Sequence, residues 1–75
     1  MEIRVSEKDI AIMMEDRYTR NEAIRSLKKG TVVYDSVQEL ADDYGVSVDD
    51  IRAGMFSDIK AVEYEGKEYG LGICN

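Results

Sequence analysis

The 75-residue chain contains no histidine and one cysteine, Cys74. One thiol and no imidazole assemble neither a disulfide framework nor a zinc site within a single chain, and so sparing a use of cysteine points to the cytosol. A glycine-rich phosphate-binding pattern is missing as well. With no triad chemistry and no nucleotide cradle to draw on, the protein is expected to be non-enzymatic and to carry no cofactor. Long apolar runs are also absent: Ile10 to Met14 is short and flanked by charges, so neither a signal peptide nor a membrane span is expected. A chain of this length buries only about 60–65% of the surface its unfolded form exposes, which limits it to one modest core and makes a homodimer conceivable.

What is present is charge, unevenly placed. The formal net charge is −6, yet residues 1–30 hold seven basic and six acidic side chains whereas 31–75 hold three basic and ten acidic. Between Arg17 and Lys29 lie Arg17, Arg20, Arg25, Lys28 and Lys29, against the single acid Glu22. Ordinary apolar content and the lack of low-complexity tracts predict a folded domain despite this charge.

The stretch Ser36 to Met55 carries the clearest local signals. Ser36 precedes Glu39 by three residues and Ser47 precedes Asp50 by three, two patterns similar to capping boxes that mark two helix starts. Val37, Leu40, Ala41 and Tyr44 recur at helical spacing, and Gly45 supplies a residue that ends a helix readily. After Ser47, the residues Val48, Ile51 and Met55 predict a second apolar stripe. Two short helices sharing one core across a tight turn make a helix-turn-helix.

The spacing Ala41, Gly45, Ile51, with Ser47 opening the second helix, resembles the helix-turn-helix signature of DNA-binding regulators. With the preceding Val33, Tyr34 and Asp35, the segment Thr31 to Met55 is also similar to the modular DNA-binding repeats found beside phage and intron nucleases. The resemblance implies a nucleic-acid-associated regulator of phage or mobile-element type. It places Ser47, Asp49, Asp50, Arg52 and Ala53 against the major groove.

Elsewhere the expectations are simpler. Glu2 to Val5 alternates as a short edge strand would. Ser6 offers a cap to a first helix whose stripe is Ile10, Met13 and Met14, leaving Ile12 either exposed or against a partner. Thr19 or Asn21 caps a second helix with Ala23, Ile24 and Leu27 inside, ended by Gly30. Thr31 to Tyr34 reads as a strand, and Ile59 to Tyr64 with Lys67 to Ile73 as a hairpin turning at Glu65-Gly66. Gly70 and Gly72 leave a bare backbone face on its second strand. The expected fold is therefore α+β: a small winged-helix-like domain of residues 1–75, with three or four helices, the helix-turn-helix at 36–55 and the hairpin at 59–73.

Two binding readings follow from the charges. If the ligand is DNA, Ser47 and Arg52 meet it, with phosphate affinity supplied by Arg17, Arg20, Arg25, Lys28 and Lys29 provided that segment lies beside the motif. Alternatively, Asp35, Glu39, Asp42, Asp43, Asp49 and Asp50 form an acidic face that imitates DNA and blocks a basic protein, such as a nucleic-acid-binding enzyme. A metal at Asp42-Asp43 or Asp49-Asp50 is not expected, because neighbouring residues on a helix point in different directions. Self-association would use Met13, Met14 and Phe56.

Overall fold

The computed structural model describes residues 5–73; the expected edge strand, apart from Val5, and Cys74 fall outside them. The chain forms α1 (Glu7–Glu15), α2 (Arg20–Lys29), β1 (Val32–Tyr34), α3 (Val37–Tyr44), α4 (Val48–Arg52), β2 (Ile59–Tyr64) and β3 (Lys67–Gly72). The sheet is antiparallel with order β1-β3-β2, so the last strand is the central one. This is the expected α+β arrangement, with a hairpin following the helix-turn-helix as in a winged helix.

Helix ends follow from local chemistry. The Ser36 and Ser47 hydroxyls accept from the backbone N–H groups of Glu39 and Asp50 at 3.1 and 3.2 Å, forming the hydroxyl half of a capping box at each. The reciprocal carboxylate half closes at Thr19, whose backbone N–H donates to Glu22 while its hydroxyl accepts from the Glu22 N–H. Three helices hand over to a left-handed glycine, at Gly30, Gly45 and Gly54. After α1 that place belongs to Arg17, at φ 72°, with the Arg17 and Tyr18 N–H groups donating back to the Met14 and Met13 carbonyls.

The alternation of β3 divides the molecule. Tyr69 and Leu71 face α1 and α2, joining Val62, Ile10, Ile12, Met13, Ala23 and Leu27 in one buried cluster. Gly70 and Gly72 face the other way, where Val37, Leu40, Ala41, Ile51 and Ile59 form a second cluster under α3 and α4. Successive strand residues point to opposite faces, so the two helix pairs lie on opposite sides of one sheet. The bare face at Gly70 and Gly72 is thus occupied from within: a Cβ on Gly70 would stand 2.8 Å from Leu40 Cβ, and one on Gly72 3.0 Å from the Tyr44 hydroxyl.

Three expectations about buried stripes are corrected. Ile12 is fully buried while Met14 is 47% exposed, because α1 packs against both α2 and β2 and its buried arc turns toward Ile12. Met55 is 67% exposed, since Gly54 ends the helix before the stripe reaches it. Tyr44 is 43% exposed, lying across Gly72 rather than inserting beneath α3.

Two substitutions test this packing. Gly70→Ala drives a methyl group into Leu40 and should cost about 1–3 kcal/mol, read as a lowered urea midpoint. Arg17→Gly relieves a left-handed conformation that disfavours a side chain and should raise stability by roughly 1 kcal/mol; an unchanged midpoint would show that Arg17 carries no backbone strain.

Candidate functional site

On the α3–α4 side the surface is built from carboxylates. Glu39, Asp42 and Asp43 project from α3 and, with Tyr34 from β1, line a shallow open depression. The Tyr34 hydroxyl donates to Asp43 Oδ2 at 2.6 Å, and Gln38 Nε2 donates to Asp42 Oδ1 at 2.9 Å. The bond to Asp43, followed by burial, pushes the Tyr34 phenol up to about 12. Asp35 sits exposed at the end of β1, and Asp49 and Asp50 occupy the first turn of α4, where the helix dipole favours acids.

Arg52 is the one cation of α3 and α4. It is held across the hairpin by Glu68, with Nη2 to Oε1 at 2.6 Å and Nε to both carboxylate oxygens at 3.1 and 3.2 Å. Glu68 stands directly opposite Glu63 in the β2–β3 register, so this fork also offsets a like-charge cross-strand pair. The carboxylate contact raises the pKa of Arg52 further. Ser47, the other residue that the DNA reading places at the groove, has its hydroxyl engaged as the α4 cap.

The basic segment lies across the sheet. Arg17 precedes α2, and Arg20, Arg25, Lys28 and Lys29 are on it, in the layer that packs against Val62, Tyr69 and Leu71. The fold therefore does not bring these cations beside Ser47 and Arg52. Arg20 is tied to Glu7 by two bonds of 3.0 and 2.8 Å, which hold the Glu7 carboxyl below its usual range. Lys60 bridges to Asp16 at 3.2 Å, and the Lys8 and Lys67 ammonium groups lie 5.0 and 4.8 Å from the centre of the Tyr69 ring. Among the described residues Arg17, Arg25, Lys28 and Lys29 are exposed and take part in no ion pair.

No cluster of three or more metal-ligating side chains occurs among the described residues, and no helix there is long and apolar enough to cross a membrane. Comparison of the chain with known protein families, curated proteins and solved structures finds no match. The sequence named both charged groups but gave no signal for the Arg52–Glu68 fork, whose members are 16 residues apart.

The Tyr34–Asp43 bond has a spectroscopic signature. In alkaline absorbance titration one phenol should ionise near 12, and Asp43→Asn should return it toward its ordinary value of 10.0. A raised phenol pKa stabilises the fold below the unfolded value, and that contribution is lost as pH rises from 10.0 to about 12. An unchanged titration in Asp43→Asn would break the assignment.

Proposed function

We propose that the protein is a non-enzymatic helix-turn-helix module of phage or mobile-element type whose acidic α3–α4 face binds the cationic surface of a nucleic-acid-binding protein, acting as an inhibitor. The observation that carries this reading is the fate of Arg52: the only cation of the helix-turn-helix is neutralised by Glu68, leaving Asp35, Glu39, Asp42, Asp43, Asp49 and Asp50 to set the potential of that side. A polyanion approaching α4 meets Asp49 and Asp50 with no free cation on α3 or α4, whereas a lysine- or arginine-rich surface is steered toward it. The helix-turn-helix then serves as a scaffold that presents carboxylates, and the resemblance to DNA-binding regulators is one of shape.

The reading of α4 as a recognition helix is less well supported, since Ser47 caps the helix and Arg52 would have to leave its carboxylate fork before reading a base. Its requirement for the basic segment beside the motif also goes unmet.

The immobilised protein should retain lysine- and arginine-rich nucleic-acid-binding proteins at low salt and release them to added duplex DNA. Changing Asp42, Asp43, Asp49 and Asp50 together to asparagine should weaken retention about tenfold or more, as four surface charges, three exposed and Asp50 half-buried, are each worth a fraction of a kcal/mol. Retention unaltered by the fourfold change, with the helices intact by circular dichroism, would sink the proposal.

A further inference from the structure

Among the described residues, the cations without an ion-pair or ring partner lie on α2 or in the turn leading into it. Elsewhere among the described residues every lysine and arginine is engaged inside the molecule: Arg20 with Glu7, Arg52 with Glu68, Lys60 with Asp16, and Lys8 and Lys67 over Tyr69. The four that remain, Arg17, Arg25, Lys28 and Lys29, all belong to α2 or the turn leading into it. At 100° per residue, Arg25, Lys28 and Lys29 fall opposite the buried Ala23 and Leu27, so they form the outward stripe of the helix.

The acids of this layer are largely occupied. Glu22, the one acid of α2, closes the capping box with Thr19; Glu7 and Asp16 are ion-paired. On α1, Asp9 is half-buried, and Glu15 is exposed. Arg17 adds a second kind of observation. The other three helices place glycine at the left-handed position after their last turn, and here an arginine is kept there at φ 72°. A side chain retained against a backbone preference points to a use for that side chain.

We propose that the outward stripe of α2, with Arg17, is a second binding surface, separate from the acidic face, and that its ligand is the sugar-phosphate backbone of a nucleic acid. Arg25, Lys28 and Lys29 set three cations within the C-terminal half of α2, a density of positive charge that suits a polyanion. The outward positions Asn21, Arg25, Lys28 and Lys29 carry no aromatic ring to stack on a base, so the contact reads phosphate and is indifferent to sequence. The sheet keeps the carboxylates of α3 and α4 away from this contact. The stripe's binding does not depend on the partner of the acidic face.

The test is fluorescence anisotropy of a labelled mixed-sequence duplex titrated with the full chain at several salt concentrations. Four phosphate contacts predict a slope of log affinity against log salt of about −3 to −4, and a loss of roughly 100-fold between 50 and 200 mM salt. Arg25→Gln/Lys28→Gln/Lys29→Gln should reduce the slope by about three, and Arg17→Gly by about one while raising the urea midpoint, a combination that a purely structural role for Arg17 would not produce. Arg52→Gln should leave duplex binding unchanged. A flat titration at low salt, or affinity lost with Arg52 and kept in the triple variant, would overturn the proposal. So would sedimentation without duplex that showed salt-sensitive growth in mass abolished by the triple variant, because the stripe would then be docking on the acidic face of a second copy.

Discussion

Helix α3 rests directly on the backbone of β3, and the rest of the architecture depends on that approach. Leu40 occupies the space where any side chain at Gly70 would stand, and Tyr34 and Tyr44 close over Gly72. Because β3 is paired on both edges and covered on both faces, it fixes the two helix pairs in separate layers. A side chain larger than hydrogen at Gly70 would lift α3, and α4 with it, away from Ile59. The acidic depression, lined by Tyr34 and by Glu39, Asp42 and Asp43 of α3, would change shape with that shift.

Much of the local structure was legible in the sequence, and the part that was not is non-local. Ser36, Ser47, Thr19 and Gly30 act through bonds spanning a few residues, so their types and spacing suffice to mark helix ends. The hairpin was legible for the same reason: Glu65 and Gly66 both adopt the positive φ that a two-residue turn demands. Ile12 and Met14 exchanged places because an apolar stripe tells that a helix is buried but not from how many directions. In α1 the neighbours are α2 on one side and β2 on the other, a tertiary fact that widens the buried arc.

The candidate surfaces divide along the same line. That Asp42, Asp43 and Asp49 would be exposed, with Asp50 half-buried beside them, followed from their positions on short amphipathic helices. Whether the cations of Arg17 to Lys29 stood beside them turned on which face of the sheet each helix pair covers, a tertiary fact seen in the alternation of Tyr69 and Leu71 with Gly70 and Gly72 along β3. Similarly, nothing near Arg52 in sequence foretells Glu68, since the hairpin must first fold back to bring the carboxylate within 2.6 Å. The motif was readable as a shape well before its electrostatic character was.

The three-stranded sheet, described above as a partition between two cores, also acts as a spacer between charges of opposite sign. A body with unpaired cations on one flank and a carboxylate-rich opposite flank has a permanent dipole across its layers, whatever its net charge. In the field of a highly charged neighbour such a body experiences a torque as well as a force, over distances of about 10 Å at moderate ionic strength. The domain would therefore be turned before it touches anything, and the flank presented would be chosen by the sign of the neighbour's charge.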